Sequence, residues 1–345
     1  MTTILRSGIL TVSVIIFSLI IIMTISSISI EKSGIAIKNH YAYSSSAAAF
    51  SSSSSSSSSS YPTISSSITL ADFNFAAAGD WGCTSDTIDT LKNIIDQGPE
   101  FVLALGDLSY DDSAKCWLDI ISPIANKTMI AIGNHDTAPS TKLKDYMDFF
   151  GLKGQYYSFN YQNVHFTVMS TELPYEQGSE QYNFVNNDLS KVSLNPDIDW
   201  IVVYYHSLAY TSPANIGKGN SAEKELRDTY HPLFDKYGVD IVLQAHNHNY
   251  QRTYPIIYNN DNSTNPIITD TNNKNKYYDP KGIVFGTIGT AGASIYPLTG
   301  QSPYVATQYE GFGFLNVNVI NDGTTLSGKF VANDGTVKDQ FTITK

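Results

Sequence analysis

The chain has 345 residues, of which 42% are hydrophobic and 15% charged, and a formal net charge of −11. The first 70 residues hold Arg6, Lys32 and Lys38 against Glu31, so the remainder stands at −13. Such a surface argues against non-specific nucleic-acid binding, which needs clustered Lys and Arg, and leaves local attraction by metal as the way to draw in a phosphate-bearing substrate.

Ser7 to Ile30 contains no charged residue and is flanked by Arg6, Glu31 and Lys32. The expectation for 1–30 is a signal peptide or a signal anchor: the basic start fits the first, and a stretch of about 20 apolar residues suits the second. Arg6 favours a cytoplasmic N-terminus in both cases, so the rest of the chain is sent across the membrane. The expected location is secreted or in a lysosomal or vacuolar lumen. The alternative is attachment through the N-terminal segment with the catalytic part outside the cytosol. Residues 31–70 are read as a serine-rich linker that includes the unbroken run Ser51 to Ser60. Serine offers too little apolar surface to offset the entropy of ordering, so the tract is either a flexible tether or slippage sequence without a role.

Residues 71–345 read as one catalytic domain. Phe73 to Ala78 is a strand ending in Gly79-Asp80-Trp81-Gly82, and Thr87 to Gln97 has apolar residues at helical spacing until Gly98-Pro99 stops it. The uninterrupted apolar run Phe101 to Leu105 predicts a strand buried on both faces and delivers Gly106-Asp107-Leu108-Ser109-Tyr110. A short helical piece near Trp117 to Ile121 precedes a third strand, Thr128 to Ile132, which ends in Gly133-Asn134-His135-Asp136. Asp80, Asp107 and Asn134 recur every 27 residues, about one strand-helix unit, so successive units present one oxygen ligand each at the same sheet edge.

Further on, Tyr156 to Asn160 and Val164 to Met169 read as a hairpin, and His165 within it as structural. Gln181 to Val192 is a covering helix. Trp200 to Tyr205 is a strand ending at His206; Ala222 to Tyr237 is helical, with His231 before Pro232 read as a surface or core residue; Val239 to Leu243 is a strand ending at Ala245-His246-Asn247-His248. Asn259 to Lys276 reads as an exposed insertion, and strands resume at Ile283 to Ile288, Phe312 to Val319, Thr325 to Phe330 and Gln340 to Thr344. The last three are expected to pair antiparallel as a second sheet against the first. The fold class is therefore α/β (α+β), a four-layer α-β-β-α sandwich of two mixed sheets with helices outside.

Cys83 and Cys116 lie just beyond consecutive strand-end motifs and are expected to form a disulfide if the chain is exported, or else to stay unpaired. The sequons at Asn126 and Asn262 fit an exported glycoprotein.

Each residue at the strand ends has a plain structural reading, since an Asp there often caps a helix and a lone His is often a satisfied core residue. Their joint occurrence is the signal. Asp80, Asp107, Tyr110, Asn134, His135, His206, His246 and His248 supply hard oxygens and imidazoles from five strand exits, which suits iron, manganese or zinc and exceeds what one ion takes. Two metals are implied, with Asp107 bridging them.

The five strand-end motifs resemble those of the calcineurin-like metallophosphoesterases. Tyr110, three residues after the bridging Asp, narrows the resemblance to the purple acid phosphatases, and the stretches from Asn249 to Pro255 and from Gly286 to Gly292 are similar to the plant-type members. The resemblance covers about residues 72 to 330. It implies that Asp80, Asp107, Tyr110 and His248 bind Fe(III), and that Asp107, Asn134, His206 and His246 bind Fe(II), Zn(II) or Mn(II). It further implies that a metal-bound hydroxide attacks a phosphate monoester, with Asn134 and His135 contacting the phosphate, His135 a candidate to protonate the leaving group, and Asp136 orienting His135. Two departures stand out. Ala245 replaces the usual Gly, which matters only where positive φ is required, and no histidine follows His206 before His231, so the substrate contact is expected from Tyr210 or from main chain instead. The expected partner is a small phosphate ester. The alternatives are a phosphodiesterase or nucleotide pyrophosphatase of the same fold, or a non-catalytic surface binding protein.

Overall fold

The computed structural model describes residues 70–214 and 222–345. The readings of 1–30 as a leader or anchor and of the serine tract fall outside the described residues. In chain order the elements are β1 (Phe73–Ala78), α1 (Ser85–Gln97), β2 (Phe101–Leu105), α2 (Lys115–Ile121), β3 (Thr128–Ala131), α3 (Ser140–Phe150), β4 (Tyr157–Tyr161), β5 (Val164–Val168), α4 (Glu180–Val192), β6 (Trp200–Tyr204), α5 (Lys224–Tyr237), β7 (Ile241–Gln244), β8 (Tyr250–Thr253), β9 (Ile256–Ile257), β10 (Ile267–Ile268), β11 (Lys276–Tyr278), β12 (Val284–Ile288), β13 (Val305–Tyr309), β14 (Gly313–Ile320), β15 (Thr325–Ala332) and β16 (Val337–Thr344). None of the described helices is long and apolar enough to cross a membrane.

Two seven-stranded sheets form the centre, in the orders β11-β16-β15-β14-β1-β2-β3 and β13-β8-β12-β7-β6-β5-β4. Strands β1, β2 and β3 run parallel, as do β5, β6, β7 and β12, so in each sheet the parallel strands end at a common edge. Helices α1, α2 and α3 bury Leu91, Ile94, Trp117, Ile121 and Tyr146 with the first sheet. Helices α4 and α5 bury Val185, Leu189, Leu226, Tyr230 and Phe234 with Val203, Val242 and Phe285 of the second. Between the sheets Phe75 and Phe101 meet Phe166 edge-on, with ring centroids 5.3 Å apart in both pairs. Each such ring contributes about 1.5–3 kcal/mol by burial. The layer order is the expected α-β-β-α.

The membership of the sheets differs from the sequence expectation. Strands β14, β15 and β16 do pair antiparallel, but they are not a separate sheet. β14 lies antiparallel on β1 with Val317 opposite Phe75, so the C-terminal strands extend the first sheet, and the middle of the chain builds the second. The open edge of β1 decides this: a buried strand cannot leave its backbone groups unpaired. Helix α3 also forms where no element was expected, with Lys142 and Tyr146 as its buried residues.

The sheets are joined by a polar contact as well as by rings. Arg252 on β8 pairs with Asp339 on β16 at 2.6 and 3.1 Å, Tyr250 Oη donates to the same carboxylate at 2.7 Å, and Tyr277 Oη lies 3.0 Å from the guanidinium. The Arg252 head sits 4.7 Å from the Phe341 ring centre. Buried charge is tolerated here because each group is matched.

Candidate metal centre

Five parallel strands point their C-terminal ends at one place. After β1 and β2 the chain enters the left-handed region at Asp80 (φ 57°) and Asp107 (φ 49°), and beyond β7 at His246 (φ 64°). Non-glycine residues adopt this conformation at a cost, and it persists where the surroundings hold it. Here the backbone does so: Asp80 N donates to Gly106 O at 3.1 Å, Trp81 N to Asp107 O at 2.9 Å, and Gly79 N to Ile288 O at 2.8 Å. Positive φ falls on His246 and not on Ala245, so the missing glycine at 245 costs no backbone strain. Instead the Ala245 methyl occupies the space that a side chain at Gly79 would need. A side chain at Gly133 would strike Asp107 Oδ1, so the turn after β3 can approach the Asp107 carboxylate only as glycine.

The side chains converge tightly. Tyr110 Oη lies 2.9 Å from Asp80 Oδ1, 3.3 Å from Asp107 Oδ2 and 2.8 Å from His248 Nε2. His206 Nε2 lies 3.2 Å from Asp107 Oδ2 and 3.1 Å from His246 Nδ1. Asp107, His206 and His246 each present a ligand atom within 4.8 Å of the others. The imidazoles are held from behind: His206 Nδ1 donates to Leu105 O at 3.0 Å, and His248 Nδ1 donates to Ser294 O at 2.7 Å, which turns both Nε2 atoms toward the carboxylates. Tyr296 stacks on His248 with ring centres 3.9 Å apart. Asn134 and His135 are exposed at the open side, and the His135 ring lies 4.4 Å from that of Tyr110.

This arrangement calls for a cation. One phenolic proton cannot serve the Asp80 and Asp107 carboxylates at once, and Asp80 Oδ2 is buried with no hydrogen-bond partner. The donor set of carboxylate, phenol and imidazole fits a pair of transition-metal ions, with Asp107 facing both groups of ligands. The electrostatics agree. Burial opposes ionisation of Asp107, but the His206 charge and hydrogen bond outweigh it and hold the carboxyl below its usual range. Burial likewise disfavours charge on His206, yet Asp107 pulls it up to about 10. Burial first, and then Asp80 and Asp107, push the Tyr110 phenol far above its ordinary value, so a phenolate there needs strong positive charge beside it.

The remaining expected residues are placed as follows. Asp136 does not orient His135: its buried oxygens accept from Leu108 N and Gly133 N, both at 2.9 Å, and burial with the Asp107 charge pushes it up to about 7. Backbone amides claimed it because the turn after β3 folds into a tight 3-10 loop. Tyr210 does not reach the site either. It is 2% exposed, its hydroxyl meets His231 Nδ1 at 2.7 Å, and its ring packs on Phe285 and Tyr304 in the core under α5. His231 is thus a core residue, and His165 is held by Asn160 and Asp188. Cys83 and Cys116 are joined in a disulfide between the loop after β1 and the first turn of α2, and Asn126 and Asn262 are exposed. Missed from the sequence were the Ser294–Tyr296 backing of His248 and Lys142, whose Nζ donates to Ser109 O and His135 O.

A four-layer sandwich with carboxylates and imidazoles gathered at the strand tips defines a metallophosphoesterase. The chain belongs to the calcineurin-like phosphoesterase family, whose profile matches residues 73–250. Among its relatives, purple acid phosphatase 21 of Arabidopsis thaliana is 30% identical over 239 residues, 63% of this chain and 49% of the relative. A protein of the same plant named "Probable inactive purple acid phosphatase 27" is 27% identical over 307 residues, 79% of this chain and 47% of the relative. The chain thus spans about half the length of the curated relatives it matches. Purple acid phosphatase PPD1 from yellow lupin seeds superposes with a TM-score of 0.68 at 25% identity, over 79% of this chain and 54% of that one. GAP50, described as the anchor in the inner membrane complex of Plasmodium, shares the fold with a TM-score of 0.59 at 17% identity, over 79% of this chain and 89% of that one.

Proposed function

We infer that this protein is an exported dimetal acid phosphatase that hydrolyses small phosphate monoesters. The observation that carries the reading is the buried Asp80 Oδ2 left without a hydrogen-bond partner, beside a Tyr110 hydroxyl that lies within 3.3 Å of Asp80, Asp107 and His248. Asp80, Asp107, Tyr110 and His248 would hold Fe(III), and Asp107, Asn134, His206 and His246 would hold Fe(II), Zn(II) or Mn(II). Such a pair, when bound, polarises phosphoryl oxygens and lowers the pKa of water at mild pH. The protein's own part is to fix the ligands. Carbonyls of Leu105 and Ser294 lock the two imidazole tautomers, and the positive-φ turns hold the carboxylates without a search. Asn134 and His135, on the exposed side, would meet the phosphate, and His135, its ring against Tyr110, would pass a proton to the departing ester oxygen. The Cys83–Cys116 bond favours an oxidising compartment, consistent with secretion, a lysosomal or vacuolar lumen, or attachment by the N-terminal segment.

Metal analysis and a visible spectrum, with assays on para-nitrophenyl phosphate and bis(para-nitrophenyl) phosphate, test this. Expected are iron plus a second metal, a visible band lost in Tyr110→Phe, and preference for the monoester. A colourless zinc or manganese protein would remove the ferric assignment, preference for the diester would make it a phosphodiesterase, and a metal-free inert protein would make it a binding protein.

A further inference from the structure

The turn after β2 carries Asp107 and Tyr110, and the turn after β3 carries Asn134 and His135. These neighbours are tied to each other by two buried polar side chains, Asp136 and Lys142. The Asp136 carboxylate collects amide hydrogens, from Leu108 N in one turn and Gly133 N in the other. The Lys142 ammonium collects carbonyls, Ser109 O in the first turn at 2.6 Å and His135 O in the second at 2.7 Å. Ser109 immediately precedes Tyr110, and His135 immediately follows Asn134. Lys142 is 1% exposed, on a helix whose other buried residue, Tyr146, packs against Trp117.

A lysine in that place is expensive, because an ammonium leaves water poorly and an apolar side chain would fill the volume without that penalty. What it gains is directional. Its donors span two carbonyls on separate turns, and the acids Asp136, Asp107, Asp111 and Asp112 surround it with compensating charge. We propose that Lys142 is a positioning residue of the metal centre, clamping the Tyr110 turn onto the Asn134–His135 turn so that the ligands of the two ions stand in one frame. This rests on the reading of Tyr110 and Asn134 as ligands. Lys142 touches neither substrate nor metal in this role; it acts through the backbone of the residues that do.

The test compares full-length wild type, Lys142→Met and Lys144→Met. Lys144 lies on the same helix with its side chain in solvent, paired with Asp148, and serves as the control. Metal release into a chelator and kcat and KM for para-nitrophenyl phosphate are measured alongside a thermal melt. Lys142→Met is expected to release metal about 10–100-fold faster and to lose kcat by a similar factor with KM changed far less, as for other groups that orient ligands, whereas Lys144→Met matches wild type. A Lys142→Met protein that melts earlier but keeps wild-type metal retention and kcat overturns the proposal, because lost packing alone would do that. If Lys142→Met does not fold, Lys142→Gln, which keeps a donor without the charge, is read by the same criteria. Wild type that holds no metal and turns over no phosphate ester removes the functional reading itself, and Lys142 with it, which separates the two failures.

Discussion

Two clusters of buried charge among the described residues differ in whether they are complete. At Arg252–Asp339 the guanidinium meets the carboxylate twice, two tyrosines close the network, and an aromatic ring covers it. At Asp80–Asp107–Tyr110–His248 one phenol is shared by two carboxylates, and a carboxylate oxygen lies buried without a hydrogen-bond partner. A satisfied network joins two sheets; an unsatisfied one at strand tips is a donor set that suits a cation. Burial and charge alone would not tell them apart. The count of donors against acceptors does.

Opposite responses to mutation would sharpen this contrast. Asp80→Asn should cost the metal and lower phosphatase activity by about 10³-fold or more, as expected when charge stabilisation at a reacting phosphate is removed. Its metal-free form should melt close to metal-free wild type, because Asp80 Oδ2 has no hydrogen bond to lose; metal analysis and calorimetry check both. Asp339→Ala should do the reverse, destabilising the protein by about 3–5 kcal/mol through an unpaired buried arginine while folded molecules retain their metal and kcat. Urea melts and assays at low temperature would show it, and a large loss of kcat there would break the contrast.

The disulfide stands between the two in effect. Removing it in a Cys83→Ser, Cys116→Ser double variant opens a loop of 33 residues and should cost about 2–4 kcal/mol, again by urea melt. The smallest effect is expected at the polar cluster under α4. Asp188 accepts from Ser158 and Thr167 and pairs with His165; burial works against its charge, but the His165 hydrogen bond and charge outweigh that and lower its pKa. A carboxylate lowered on folding stabilises above its unfolded value near 3.8 and loses that contribution as pH falls through the folded one. Asp188→Asn should therefore lie below wild type in stability near neutral pH and converge with it in acid. Melts across that range would decide.

Much of the candidate site was readable because donor residues at parallel strand ends leave a local signature: a buried apolar run, a glycine and then a donor, repeated at the length of one strand-helix unit. Asp80, Asp107 and Asn134 follow it, whereas His206, His246 and His248 share only the buried apolar run before them. What escaped depends on contacts far apart in sequence. The pairing of β14 with β1 spans the whole domain, and no local period announces it. Lys142 was invisible because lysine on a helix is ordinarily a solvated residue. Tyr210 follows His206 by only four positions, yet the chain turns it under α5, so nearness in sequence misled. The Ser294–Tyr296 segment acts on His248 through a backbone carbonyl and a ring face, neither of which has a motif.

The contact between Gly79 and Ala245 carries a consequence for evolution and engineering. The two positions follow strands of different sheets and share room for a single methyl group, now lodged at 245. A lineage can move that methyl across the gap only by changing both residues, since Gly79→Ala alone crowds the turn that aims Asp80, and Ala245→Gly alone leaves a small void. Such a pair ties the histidine-bearing half of the chain to the carboxylate-bearing half, so fragments exchanged between relatives would have to carry both partners.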